Sequence, residues 1–175
     1  MSIKNILTVP SPELYQKSQK ITEITESIRQ LSQDLLETGV AHKNPEAAGL
    51  AAPQIGENFR VILVRDFKVL PNTEKLVVTN TIMINPRIIS KSKETNLDWE
   101  SCLSIPNMYG KVKRHSSIKL TYQDVNGKEH KLKASDFFAR VVQHEIDHLD
   151  GILFTDKLVG KLITEKEYNS IIENE

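Results

Sequence analysis

A second cysteine is what this chain most plainly lacks: Cys102 stands alone among 175 residues. No internal disulfide framework can form, and a lone thiol keeps best in a reducing compartment, which predicts a cytoplasmic protein. An excess of charge of either sign is missing too. Lys plus Arg and Asp plus Glu number 23 each, so no global field draws the chain to specific nucleic acid or to a membrane surface. No apolar run approaches the roughly 20 residues of a membrane-spanning helix. The N-terminus meets Pro10 and Pro12 early and has no long apolar core, so it does not read as a secretory leader. Repeats and low-complexity tracts are absent as well. What remains is a single domain, 1–175, large enough to bury a substantial core.

Ile24, Ile28, Leu31 and Leu35 recur at helical spacing and predict a helix of about three to four turns that stops at Gly39. His42 to Ala48 then reads as a polar loop. Val61 to Val64 predicts a short strand, and Leu76 to Ile84 a second one rich in β-branched residues. Ile118, Leu120 and Tyr122 alternate with polar residues, and Asn126-Gly127 predicts a type I′ turn leading into Glu129 to Lys133. Ser135 is placed to N-cap a later helix. Ile163, Tyr168, Ile171 and Ile172 predict a short terminal helix, about 164–174. Strands grouped ahead of a late helix, with hairpin connections, make this an α+β fold with antiparallel sheets.

The late helix carries the chemistry. His144-Glu145-Ile146-Asp147-His148 is an HExxH pattern, which places two imidazoles on one helical face where both can grip one metal ion. Phe137, Val141, His144 and His148 form a single stripe, so the histidines continue an apolar, inward-facing line. Glu145 can then take a proton from water activated by the ion. The third ligand is less direct. A metzincin-type histidine is excluded, because Phe154 occupies its place. A thermolysin-type glutamate would be Glu165 or Glu167, both in a polar, charged segment. Cys102, in Glu100-Ser101-Cys102-Leu103-Ser104-Ile105-Pro106, is the remaining soft donor. Cys102, His144 and His148 with water in the fourth position would make an open, catalytic site rather than a closed structural one.

Three blocks together resemble the peptide deformylase family. Gly49-Leu50-Ala51-Ala52-Pro53-Gln54 is similar to its first block, Glu100 to Ser104 to its second, and Gln143 to Gly151 to its third. Met83-Ile84-Asn85-Pro86 looks like the strand-ending segment between the first two. The likeness runs from about residue 5 to 160. The departures are Ala47 and Ser101, each in place of a glycine, and Tyr109, where some members carry a substrate-contacting arginine.

The resemblance implies antiparallel β-sheets packed around a central metal-binding helix that carries the HExxH motif. It implies a metal-dependent amidase that removes formyl from the N-terminal formyl-methionine of nascent polypeptides and releases formate. Cys102, His144 and His148 would hold one divalent ion, ferrous iron in the cell, although zinc, nickel or cobalt also suit the donor set. Glu145 would be the general base. Gln54 and the Leu103 backbone N–H would donate to the oxyanion. The peptide would lie along Gly49 as an added strand, with Val141 lining the methionine pocket and Ala48 forming another wall. Arg114 is expected to pair with Glu100 or Asp147. The alternative, motivated by Ala47, Ser101 and Tyr109, is a divergent deformylase-fold protein acting as a weak metallopeptidase or a peptide-binding module. The tail from Thr164 is acidic, with Lys166 its only base, so any approach to the ribosome is expected to be transient and without a basic C-terminal anchor.

Overall fold

The computed structural model describes residues 3–43, 46–71 and 73–174. Of the readings above, Met1 and Ser2 at the head of the chain, Asn44 and Pro45 of the 42–48 loop, and Glu175 of the tail lie outside the described residues. The elements run α1 (Glu26–Ala41), β1 (Gly49–Ala51), β2 (Val61–Val69), β3 (Leu76–Lys91), β4 (Thr95–Cys102) and β5 (Ile105–His115). There follow β6 (Ser117–Gln123), β7 (Glu129–Ser135), α2 (Asp136–Leu149), β8 (Ile163–Thr164) and α3 (Glu165–Ile172). One sheet has the order β1-β2-β3-β6-β7 and the other β4-β5-β8, and their strand pairs are antiparallel. The fold is α+β, as the grouping of strands ahead of a helix indicates.

Two helices sandwich the larger sheet, and β2 shows why. Its first residues are apolar at every position, so both faces must be covered. Ile62 and Val64 turn one way, into a core with Val142, Ile146 and Leu149 of α2. Val61 and Leu63 turn the other way, onto Ile28, Leu31 and Leu35 of α1. The smaller sheet closes a third apolar cluster, in which Cys102, Ile105 and Val112 meet Leu14, Leu153 and Phe154.

Four local expectations differ from what forms. α1 does not stop at Gly39 but continues to Ala41. A Cβ on Gly39 would come 2.4 Å from Leu63 Cδ2, so this glycine lets the helix approach the sheet rather than leave it. β3 does not end at Pro86. It shifts register between Ile84 and Arg87 and pairs with β6 as far as Lys91, and this bulge is where a residue with no N–H can be carried inside a strand. Asn85, at φ 51, anchors the bulge by exchanging hydrogen bonds with both the N–H and the carbonyl of Ile21, at 2.9 and 2.8 Å. The β6–β7 turn is not type I′, because Gly127 has φ 81 while Asn126 is not left-handed. Asp124 organises this turn instead, its Oδ1 accepting from the N–H groups of Asn126 and Lys128. Ser135 occupies the N-cap of α2, but its side chain makes no capping bond.

Candidate metal centre

Two elements bring the sulfur and the imidazoles together. β4 and β5 join through a tight turn in which Cys102 pairs with Ile105 and only Leu103 and Ser104 lie between them. Cys102 is therefore fixed at the end of a strand, and Leu103 stands outside the ladder. α2 supplies His144 and His148 one turn apart, with ring centroids 5.0 Å apart. Among the described residues, Cys102, His144 and His148 form the one His/Cys/Asp/Glu group able to hold an ion, their ligand atoms all within 4.8 Å of one another. His148 Nε2 lies 3.3 Å from Cys102 Sγ. Burial pushes the Cys102 thiol up, but His148 and His144 outweigh it and hold the thiol well below its ordinary value.

Glu100 orients the first histidine. Its Oε2 accepts from His144 Nδ1 at 2.9 Å, leaving the other ring nitrogen to the cavity. The carboxylate is buried, yet three further bonds hold it. Arg114 donates through Nε and Nη2 at 2.9 Å each, and Arg140 Nη1 donates at 2.7 Å. Burial alone would raise the Glu100 pKa; Arg114 and His144 overcome that and depress it far below the carboxylate range. Arg114 also pairs with Asp147, so it takes both partners anticipated for it. Lys157 meets Asp147 at 2.7 Å from the far side. Two buried carboxylates thus share three cations around one histidine, the kind of support that fixes a ligand's tautomer and direction.

Glu145 faces the same space. Its Oε2 is buried and has no hydrogen-bond partner, and burial raises its pKa to about 7 against the opposing pull of His144 and His148. Gly49 makes room for it: a Cβ there would stand 2.4 Å from Glu145 Oε1. Gln54 is locked at both ends of its amide, its Oε1 accepting from Ala51 N at 2.8 Å. Its Nε2 donates to Ser104 Oγ at 3.1 Å and faces Cys102 Sγ at 3.5 Å. The N-terminal segment straps these two loops together, Leu7 N–H donating to Gln54 O at 2.7 Å and Val9 N–H to Ser104 O at 2.9 Å.

A cavity of about 440 Å³ opens over the centre, and Ala48, Gly49, Gln54, Cys102, Leu103, Val141, His144 and Glu145 line it. Val141 serves the core as well. Phe137, read as the start of the inward stripe, is instead 58% exposed and sits at the rim, because α2 begins there and emerges from the core. Phe154, which rules out a metzincin ligand set, stacks near His144 with centroids 6.2 Å apart. Glu167 is spent capping α3 through Thr164, and Glu165 is exposed. Neither Ala47 nor Ser101 is left-handed, so each accepts a side chain without backbone strain. Ile171 and Ile172 are 37% and 44% exposed, so α3 is held elsewhere: Tyr168 stacks on Tyr109 with centroids 4.1 Å apart and meets Trp99 edge-on at 5.5 Å.

Arg140 escaped sequence reasoning. Its place on the helix just before Val141 gives it no motif, and only the chance that a mid-helix cation is buried would single it out. Gln143 turns away from the cavity and ties α2 to β5, with Nε2 donating to His115 O at 2.9 Å and Oε1 accepting from His115 N at 3.2 Å. His115 and His130 lie outside the centre, bonded to Ser92 O and Asp124 respectively.

The family model described as polypeptide deformylase matches residues 3–162. A peptide deformylase of Desulfotalea psychrophila is 40% identical over 158 residues, spanning 90% of this chain and 89% of its own. Among solved structures, a probable peptide deformylase from Synechococcus phage S-SSM7 is 40% identical with a TM-score of 0.77, covering 90% of this chain and all of that one. A class I type b peptide deformylase from Acinetobacter baumannii, solved with Met-Ala-Ser bound, has a TM-score of 0.79 at 28% identity, covering 90% and 99% of the two chains.

Proposed function

The chain belongs to the polypeptide deformylase family, and on that premise we propose that Cys102, His144 and His148 hold the divalent ion of a formyl-methionine amidase. Its reaction is hydrolysis of the formyl group from N-terminal formyl-methionine of nascent polypeptides, with release of formate. The donor chemistry fits a metal: one sulfur held toward the thiolate and two imidazoles converge in a buried site, with one imidazole oriented by a carboxylate. When bound, the ion supplies Lewis acidity, lowering the pKa of water and polarising the formyl carbonyl. Ferrous iron is the ion we assign in the cell, with zinc, nickel or cobalt able to occupy the same donors.

The remaining work falls to side chains of this protein. Glu145 removes a proton from the attacking water at its unpartnered Oε2 and returns it to the departing amine as the C–N bond breaks. A carboxyl poised near neutrality suits both transfers. The Gln54 amide and the Leu103 N–H donate to the oxyanion of the tetrahedral intermediate. Gln54 can serve because Ala51 and Ser104 hold its orientation in advance. β1 lies at the edge of its sheet, so the peptide can add along Gly49 as a further strand. Ala48 and Val141 then wall the pocket for the methionine side chain.

The central HExxH helix is α2, packed on the larger sheet with its histidines toward the β4–β5 turn, and the whole chain serves as one catalytic domain. A thiolate ligand and ferrous iron both favour a reducing, cytoplasmic setting. No helix among the described residues is long and apolar enough to cross a membrane. The single observation that carries the reading is the convergence of the Cys102, His144 and His148 ligand atoms beside Glu145, which lines the cavity with Cys102 and His144. The test is anaerobic assay of the ferrous-loaded protein on a formyl-methionyl tripeptide: formate should appear stoichiometrically with free amine. Release of internal amines without formate would instead indicate a peptidase.

A further inference from the structure

Positive and negative charges cancel over the whole chain, but they are not spread evenly over its surface. In β6 and β7, Ile118, Leu120, Leu132 and Ala134 turn into the core with α2, so the residues alternating with them point the other way. Those outward positions are rich in lysine. Lys119 lies directly opposite Lys133, and Thr121 opposite Lys131. β3 carries both rows across a third strand, with Arg87 opposite Thr121 and Ser90 opposite Lys119. Arg87, Lys119, Lys131 and Lys133 are all exposed, and none of them enters a salt bridge among the described residues. Glu129, at the start of β7 opposite Gln123, is the one carboxylate on the outward positions of these two strands.

Folding alone gives no reason for this arrangement. Like charges directly opposite one another on a sheet oppose the pairing of their strands, and Lys119 and Lys133 are such a pair. On this side of the sheet α1 covers Val61, Leu63 and Ile84, and Ile84 pairs with Gln123, so the cations begin one row beyond the helix. Adjacent strands stand about 5 Å apart and alternate residues about 7 Å apart. Four cations and the Thr121 hydroxyl therefore make a flat patch suited to a run of phosphates. No aromatic ring stands on the outward positions of β6 and β7, so nothing there stacks on bases. None of the four cations lines the cavity, and the rows face away from α2, which carries His144 and His148. A partner held here leaves the metal centre open.

Resting on the deformylase reading, which sets the enzyme beside newly made chains, we propose that this outward face of β3, β6 and β7 is a docking surface for the phosphate backbone of RNA. That reading selects RNA among polyanions, because nascent polypeptides are made on an RNA-rich particle. The contact is to phosphates and carries no base sequence. It is also independent of α3, whose charge is acidic.

The probe is a fluorescein-labelled oligouridylate, read by anisotropy against the ferrous-loaded full chain kept anaerobic. Four phosphates neutralised on a single strand give a slope of about −2.8 in log affinity against log salt, or roughly 50-fold weaker binding at about 200 mM than at about 50 mM. Lys119→Gln/Lys131→Gln should halve that slope to about −1.4, and oligoadenylate should behave as oligouridylate does. Lys17→Gln/Lys20→Gln, an exposed pair elsewhere that alters net charge equally, should leave the slope near −2.8. Thermal melting checks the fold, and removing the lysine that faces Lys133 should not lower Tm. Absence of binding at low salt overturns the proposal. So does a slope that falls equally in both double variants, or tighter association with phosphatidylglycerol vesicles, which would make a membrane the partner. Formate release from a free formyl-methionyl tripeptide is measured separately and should be unchanged by Lys119→Gln/Lys131→Gln. Formate without RNA binding refutes the docking face alone; RNA binding without formate supports the face and refutes the reaction.

Discussion

Gly49→Ala separates catalysis from stability in a way few substitutions here can. The new methyl would stand 2.4 Å from Glu145 Oε1, 2.7 Å from its Cγ and 2.8 Å from its Cδ. Ordinary contact begins near 3.4 Å, so the carboxylate must retreat by about 1 Å. What has to move is the end of a flexible side chain beside an open cavity, not backbone, and Gly49 does not adopt a left-handed conformation. Unfolding free energy should therefore fall by no more than about 1 kcal/mol, a shift of roughly 2–4 °C in Tm for a chain of this size. Misplacing a reacting group by 1 Å is enough to cost about 10²-fold, equivalent to about 2.7 kcal/mol on the barrier. Bound metal should stay stoichiometric, since none of the three ligands meets the methyl. The assay is formate release under ferrous, anaerobic conditions, with kcat and KM resolved, alongside a thermal melt and metal analysis. A Gly49→Ala enzyme with wild-type kcat would refute the argument that this glycine exists to seat Glu145. A fall in Tm beyond about 10 °C would show its role to be structural.

Four further outcomes follow from the same geometry. Cys102→Ala should lose most bound metal and all turnover while keeping its fold, read by metal analysis and circular dichroism. Retention of metal and activity would refute Cys102 as the third ligand. Glu145→Gln keeps all three ligands, so metal should remain while formate release falls by about 10²–10⁴-fold. Arg114→Met strands Glu100 and Asp147 without their shared buried partner and should cost about 3–5 kcal/mol in denaturant unfolding; a loss below 1 kcal/mol would mean that Arg140 and Lys157 suffice. Deleting residues 164–175 should leave ribosome co-sedimentation at low salt unchanged, since Glu165, Glu167 and Glu173 face RNA phosphates with only Lys166 in compensation, while Tm drops through loss of the Tyr168 stacking.

The parts legible from sequence share a property: their signal is carried by neighbours in the chain. The i, i+4 histidines of α2 need only helical geometry to meet. The alternation of β6 and the turn after Gln123 are equally local, though Asp124 rather than Asn126-Gly127 determined the turn's form. Cys102 stood out as the lone soft donor, and the family blocks then strengthened that reading, because nothing within the chain's own spacing links position 102 to position 144. What stayed hidden depends on distant partners. Gly39 looked like a helix exit because its reason, the Leu63 side chain, lies on another element. Pro86 looked like a strand end because the bulge that carries it is paid out against β6. Arg140 shows no pattern at all until β4 folds over it. Phe137 was placed by a stripe that holds for the helix but overlooks where the helix leaves the core. Tyr168 is the sharpest case: a charged segment hides a ring whose partners, Tyr109 and Trp99, stand some sixty residues back in the chain.

The strap from Leu7 to Gln54 and from Val9 to Ser104 has a practical corollary at the bench. Leu7 and Val9 clasp the loops of Gln54 and Ser104, while Tyr168 of α3 lines the rim of the cavity. Neither segment is a neutral attachment point. An affinity handle fused close to Leu7 pulls on Gln54, and one fused to α3 stands beside the cavity rim that Tyr168 lines. The exposed Asn126-Gly127 corner of the β6–β7 turn, on an edge hairpin of the larger sheet, is the better insertion point for a purification tag or a fluorophore.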